Sequence, residues 1–513
     1  MIRVALKLEL RKLEREVRAD PGKWGAWRDG VDVVGSAYEQ LVRGADRRGN
    51  GQFQTPMWAA GLMAGWLAER EIDCLLDAGV GAGRLLIAVS KQRRVPRRMV
   101  GIDTDPVSLA MAHLNFVLRG LDNTTLRQSD FLLSQLVERP DAIIANPPYS
   151  RHHAIPKWCK REIHERFRRR LGVDVSLLAG LHVLFFMRAI EVLRDGGRLA
   201  FITPLPWLDV NYGHEVKRYV LEHARVDGLI VFDDRERVFP DVKTTATITL
   251  LTKGEAAAAS GVPTRIVRIG AEKPCVPDVI AALAGRASPV NAEQVTLSAG
   301  ERWSTRPAPK RRPPGKPLQE LARVRRGVAT GCKVFYVISE QTRREHGLHR
   351  GDLRACIATP KVVADLEMTM AMLEQLPLRT RRWMLNTHDP DAEQRDDALG
   401  AYLRLGREEH AADGSYLAEH RRPWYGLEQR GPCPILFTYM NRSRPRFIRN
   451  RAGAIALNNF LIIEPHEDVE ADTLWRALNR PAFLSQLEHS RRAYGGGMWK
   501  LERHELDQLR VQL

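Results

Sequence analysis

Apolar and polar positions change rhythm along this chain, and the changes outline its elements. From Ile72 onward, short apolar runs alternate with stretches that repeat every three to four residues. The runs "CLLDAG", "RMVGID", "TTLRQSDF", "AIIANPPY", "RLAFITP", "DGLIVFDD" and "TTATITLLTKG" read as strands. Between them, a helix starts near Arg84, and "PVSLAMAHLNFVLRG" and "LLAGLHVLFFMRAIEVLRDGG" carry helical periodicity. Strands alternating with helices predict an α/β fold: a doubly wound, mostly parallel seven-stranded sheet. The last two strands have no room for a helical crossover, so they are expected to form an antiparallel edge.

The flanks differ. Residues 1–20 predict a charged amphipathic helix stopped at Asp20-Pro21-Gly22, and "GAWRDGVDVVGSAYEQLVRG" a second one. These make residues 1–50 an N-terminal helical segment and 51–255 the sheet domain. Residues 256–317 read as a connecting segment that ends in the basic, proline-rich stretch "STRPAPKRRPPGKP". From Leu318 to Leu513 the βα rhythm is lost, which predicts a separate mixed α+β domain.

Charge changes the picture next. The 513 residues carry a formal net charge of +17, which favours a polyanionic partner. Six cysteines lie scattered with no C-x-x-C pair, a pattern of reduced thiols rather than of disulfides or zinc. No apolar run reaches spanning length, and the N-terminus is too charged for a signal peptide. No membrane association is expected, and the expected compartment is cytoplasmic.

Candidate chemistry begins at "LLDAGVGAGRLL", a strand, a glycine turn and a helix start. Gly79 and Gly81 let the backbone approach a ligand. Alone the turn is unspecific. Asp77 at the strand end would repel a pyrophosphate but suits an α-ammonium group. Asp103, twenty residues past Gly83, ends the next strand, where a carboxylate can accept from ribose hydroxyls. Asp130 in "QSDF" ends the third, placed for an adenine amino group, with the Phe131 backbone N–H facing the ring. Any one acid is more simply a helix cap or a solvated turn. Three at successive strand ends fit S-adenosylmethionine.

One strand later comes Asn146-Pro147-Pro148-Tyr149. As a bland motif it is a tight turn that closes a strand. As chemistry, the Asn146 side-chain oxygen and the Pro147 carbonyl supply two acceptors for an exocyclic amine. They draw its nitrogen toward tetrahedral geometry and localise the lone pair. Pro147 and Pro148 fix the loop in advance, and Tyr149 offers a face on which an extruded base stacks.

With these motifs the sequence resembles the class-gamma N6-adenine DNA methyltransferases of restriction–modification systems over roughly residues 30–255. The resemblance implies a Rossmann-like, S-adenosylmethionine-dependent catalytic domain and a C-terminal target-recognition domain. It further implies double-stranded DNA as substrate and a separately encoded restriction endonuclease as partner. "GSAYEQL" and "GQFQTP" look like the family's lead-in, with Thr55 near the cofactor's methionine end. A later aromatic that packs edge-on to the extruded base falls on Phe239, with Phe232 as the nearby alternative. "RVRRGVATGCKVFYV" and "YGGGMWKLERHEL" resemble recurring segments of recognition domains, the second a glycine turn followed by a helix.

Two basic stretches invite a DNA reading: Arg442, Arg444, Arg446, Arg449 and Arg451, and the helix "KWCKREIHERFRRRL" beside the tetrapeptide. For each single residue a solvated surface is about as good an explanation. "KPCV" and "GPCP" carry a Pro-Cys pair but lie outside the strand order. His152, His153 and His164 form no metal motif. Two rivals stand beside DNA methylation: methylation of RNA or a protein glutamine, and a DNA-binding subunit with an idle cofactor fold.

Overall fold

The computed structural model describes residues 54–513 apart from 137, 150–156, 174, 176–179, 210–212, 233–244, 255–262, 271, 305–312, 410–419, 442–444, 491 and 496–497; before residue 54 it describes Lys12, Arg15, Glu16 and Ala19. Apart from those four residues, which are helical, the expected N-terminal helices lie outside the described residues, as do Phe239, Arg442, Arg444, His152 and His153. The chain divides into two compact units: Met1–Ser304 with Ala493–Gly497, and Thr305–Arg492 with Met498–Leu513.

In the first unit, α1 (Met57–Leu67) leads into β1 (Cys74–Ala78), α2 (Arg84–Ser90), β2 (Arg98–Asp103), α3 (Pro106–Arg119), β3 (Thr124–Gln128) and β4 (Ala142–Ala145). There follow α4 (Lys157–Leu171), α5 (Leu181–Val192), β5 (Arg198–Pro204), α6 (Gly213–His223), β6 (Ala224–Phe232) and β7 (Ala246–Lys253). All seven expected strands are present, in the spatial order β3-β2-β1-β4-β5-β7-β6. β1 to β5 run parallel, and β7 is antiparallel to both β5 and β6.

The sheet is longer than expected. β8 (Thr264–Ile269) pairs parallel with β6, and β9 (Ala292–Val295) antiparallel with β8, giving nine strands among the described residues. Both strands and the intervening α7 (Val276–Leu283) come from the stretch read as a connector. β6 and β7 pair antiparallel, as their short connection requires, but they are not an edge. The end of the same stretch also returns to the unit. Trp303 is buried against Trp207, with ring centroids 5.7 Å apart, and the Ser304 N–H donates to Asp209 at 3.3 Å.

Residue alternation along the strands builds two cores. Leu76, Ala78, Ile143, Ala145, Leu199 and Phe201 join one, whereas Leu75, Ala142, Ile144, Ala200 and Ile202 join the other. α1 lies in the second core with Ala59, Ala60, Leu62, Met63, Ala64, Trp66 and Leu67 buried. A helix apolar on nearly every side has no polar stripe, so periodicity gives it no signature.

The second unit is mixed α+β. One sheet runs Ala322–Arg326, Leu461–Pro465, Ile435–Phe437, Phe447–Asn450, Glu367–Met368. A four-stranded sheet joins Val337–Ser339, Arg381–Leu385, Leu353–Ile357 and Ile455–Ala456. The helix expected after the second glycine turn is Arg503–Gln508, opened by a reciprocal Glu502/Glu505 capping box. The basic stretch near residue 446 is used internally. The Arg446 guanidinium donates to the carbonyls of Val363 at 2.8 Å and Ala364 at 2.9 Å. Arg449 pairs with Asp472 at 2.5 Å, and Arg451 with Glu367 at 3.0 Å.

Candidate active site

The carboxyl ends of β1, β2 and β4 gather the expected residues. β1 pairs with β4 so that Asp77 lies beside Ile144, two residues before Asn146. Past Asp77 the chain turns through Gly79, Gly81 and Gly83, with φ of 94°, 53° and 85°. The left-handed region favours glycine at all three. Gly79 and Val80 donate to the Ile102 carbonyl at 2.8 and 2.9 Å, which fixes the turn against β2. A Cβ on Gly83 would meet Phe116 of α3 at 2.5 Å, so this glycine also serves close packing. A Cβ on Gly81 would meet nothing within 4 Å, so the turn there borders open space.

Asp77 is wholly buried, and neither carboxylate oxygen has a hydrogen-bond partner among the described residues. Burial, then the charge of Asp103, push its pKa well above the ordinary carboxylate range. Asp103 is better supplied: its two oxygens accept from the backbone N–H of Gly81 at 3.0 Å and of Asp105 at 2.9 Å. Burial raises its pKa, and these two bonds oppose the rise. Asp130 accepts from the Leu132 N–H at 2.8 Å and so closes the turn it begins. The Phe131 ring is buried against Phe185 at 5.4 Å, which leaves a ligand only its backbone.

The tetrapeptide follows β4 directly. Asn146 Nδ2 donates to Thr55 Oγ1 at 3.0 Å, across 91 residues of sequence. An amide anchored through nitrogen directs its oxygen the other way, so the group is set as an acceptor. Thr55 is itself held: it is buried, and its carbonyl accepts from Arg84 Nη1 at 3.2 Å. Arg84 opens α2, where a cation opposes the helix dipole, so this tertiary bond gives it a reason to be there. A chain of contacts thus joins the glycine turn, Thr55 and the amide. The Asn146 carbonyl also lies 4.0 Å from where a Gly79 Cβ would be, so the two motifs adjoin.

Tyr149 is half-buried against the second core, and burial pushes its phenol pKa well up. The ring of His182, near the start of α5, meets it edge-on with centroids 6.4 Å apart. His182 is buried, neither of its nitrogens has a hydrogen-bond partner among the described residues, and burial pushes its pKa down to about 4. Sequence reasoning missed Arg84 and His182. Their signals were a cation in the first turn of a helix and one polar residue inside "LHVLFF". Phe232, the alternative packing aromatic, is buried at the end of β6, edge-on to Trp58 at 6.1 Å. Its ring belongs to the core. Among the described residues no His, Cys, Asp or Glu cluster fits a metal, and no helix is long and apolar enough to cross a membrane.

An α/β sheet with acids at successive strand ends and a clamped amide beside a glycine turn defines the methyltransferase class. A family model described as N-6 DNA Methylase matches residues 29–273. Another, described as Type II methyltransferase M.Eco57I, C-terminal domain, matches residues 301–513. Type II methyltransferase M.XamI of Xanthomonas campestris pv. amaranthicola is 30% identical over 473 residues, 90% of this chain and 85% of that protein. Type II methyltransferase M.AccI of Acinetobacter calcoaceticus is 25% identical, over 92% of this chain and 86% of that protein. Among solved structures, the Type IIL restriction-modification enzyme MmeI in complex with DNA shares the fold, with a TM-score of 0.53 at 10% identity over 96% of this chain and 66% of that one. The chain belongs to the N6-adenine DNA methyltransferases of restriction–modification systems. It is an enzyme that methylates adenine in DNA. RNA or a protein glutamine as substrate is not favoured.

Proposed function

We propose that the first unit binds S-adenosylmethionine at the glycine turn and transfers its methyl group to N6 of an extruded adenine. The bound cofactor supplies an electrophilic methyl carried on a sulfonium. Asp77 supports this fit: its buried carboxylate, without a hydrogen-bond partner among the described residues, suits the cofactor's α-ammonium group. The glycine turn, with Gly79 and Gly81, leaves room for the amino-acid end, and Thr55 borders it. Asp103 takes the ribose hydroxyls. Asp130 and the Phe131 backbone take the adenine ring.

At the target, Asn146 and the Pro147 carbonyl accept from the two N–H bonds of the adenine amine. The nitrogen lone pair leaves conjugation with the ring and points at the methyl group. Pro148 keeps the loop rigid, and Tyr149 stacks on the base. Stacking of this kind, worth about 1–3 kcal/mol, offsets part of the few kcal/mol that extrusion costs. Phe239 is the candidate edge-on aromatic.

The Asn146–Thr55 bond carries the reading, because it orients an amide acceptor before any substrate arrives. We assign target recognition to the second unit, with the domain limits 51–255 and 318–513 widened on the sheet side by β8, α7 and β9. The setting is a cytoplasmic restriction–modification system with a separately encoded endonuclease.

The test offers labelled S-adenosylmethionine with DNA, RNA and a glutamine peptide in parallel. The reading expects label in DNA alone, lost on Asn146→Ala. Label in RNA or peptide, or an unaffected Asn146→Ala variant, contradicts it.

A further inference from the structure

Two basic stretches look alike in sequence, and the structure separates them. Arg446, Arg449 and Arg451 serve loops and carboxylates of their own unit. The helix α4, "KWCKREIHERFRRRL", carries seven lysines and arginines against two glutamates. Its inner face is fixed: Ile163 and Phe167 are buried in the core that holds Phe131 and Leu132. Arg166 Nη1 donates inward to the Leu133 carbonyl at 2.6 Å. The helix therefore packs on the turn that follows Asp130, at the carboxyl edge of the sheet.

Its remaining cations sort by partner. Arg169 pairs with Glu165 at 3.8 Å and Arg170 with Glu191 at 3.5 Å. Arg161 and Arg168 are exposed and have no ion-pair or hydrogen-bond partner among the described residues. Seven residues apart, they share a face two turns apart, about 10 Å along the axis. That face is turned away from Ile163 and Phe167.

We infer that Arg161 and Arg168 form a phosphate-binding stripe that holds the DNA backbone beside the target-base site. The inference rests on DNA as substrate and deepens that assignment. Charge complementarity selects the partner: two guanidinium groups with no partner among the described residues, on a helix packed on the turn after Asp130 at the carboxyl edge of the sheet, suit the sugar-phosphate backbone of the duplex. Such contacts hold the duplex in register without reading its sequence.

The experiment measures equilibrium binding of the full-length protein to a duplex across salt concentrations. The proteins are the wild type, Arg161→Gln, Arg168→Gln, the double variant and the Arg161→Lys/Arg168→Lys pair. Each phosphate contact contributes about 0.9 to the slope of log affinity against log salt. Each glutamine should lower the slope by about 1 and the affinity about five- to tenfold at 0.1 M salt. The lysine pair should keep most of the slope, and melting temperatures should not move. An unchanged slope in a double variant that melts like the wild type overturns the stripe. A wild type that binds no duplex at any salt overturns the substrate assignment instead.

Discussion

Asn146 Nδ2 donates to Thr55 Oγ1 at 3.0 Å, joining the end of β4 to the residue two before α1. The bond fixes the orientation of the amide, so under the proposed role of Asn146 its loss should act on turnover more than on cofactor binding. Thr55→Val removes the acceptor at nearly constant volume. Steady-state kinetics should show kcat reduced about tenfold or more, as for a lost preorganised polar contact, with Thr55→Ser close to wild type. Equal losses in both variants would remove the hydroxyl from the account.

Asp77 should exchange stability for cofactor binding. Its folded-state pKa is raised by burial, so its favourable contribution is complete in acid and is lost as pH rises through that raised value. The charged form is buried with no hydrogen-bond donor among the described residues, so it is the form that folding penalises. Asp77→Asn should raise the melting temperature of the cofactor-free protein by a few degrees at pH 7, and the gain should shrink on acidification. Calorimetry should show cofactor affinity reduced at least tenfold, as expected of a lost buried charge contact worth about 2–5 kcal/mol.

The glycine turn predicts unequal costs. Gly83→Ala meets Phe116 at 2.5 Å at a φ of 85°, whereas Gly81→Ala enters open space at a φ of 53°. Denaturant unfolding should show Gly81→Ala losing about 1 kcal/mol for the left-handed backbone alone. Gly83→Ala should lose more, because a packed ring must also move.

His182 meets the Tyr149 ring edge-on, so its effect on activity should run through Tyr149. Its pKa of about 4 is depressed by burial, so the stability tied to its neutral form is present above the unfolded value of about 6.5. That stability is lost as pH falls toward 4. His182→Phe keeps a ring beside Tyr149 and removes the titration. Its melting temperature should fall less than that of the wild type between pH 7 and pH 4.5. Its KM for DNA should stay within about threefold, whereas His182→Ala, which leaves Tyr149 unsupported, should raise that KM with cofactor affinity unchanged. Equal KM values for the two variants would remove the positioning role.

The sheet, and the grouping of most candidate residues at its carboxyl edge, were legible because their signals are local. An apolar run stops at Asp77, Asp103 or Asn146, and each stop is visible within ten residues of sequence. What escaped depends on distant partners. α1 is apolar on almost every face because α2, α7 and the sheet cover it, and a helix without a polar stripe gives no period. β8 and β9 are short and follow small-residue stretches, so they looked like linker until β6 was there to pair with. Whether an arginine is free or held is equally non-local. Arg449 is neutralised by Asp472, 23 residues on, while Arg168 in a similar run has no such acid among the described residues. The Thr55–Asn146 bond joins two motifs that sequence reading found separately.

The most direct test of the central claim is nucleoside analysis by mass spectrometry of host DNA incubated with the purified protein and S-adenosylmethionine. The account predicts N6-methyladenine in that DNA, and none when Asn146→Ala replaces the wild type although the variant still binds cofactor. Methyl groups on another base, or N6-methyladenine formed equally by the variant, would contradict it.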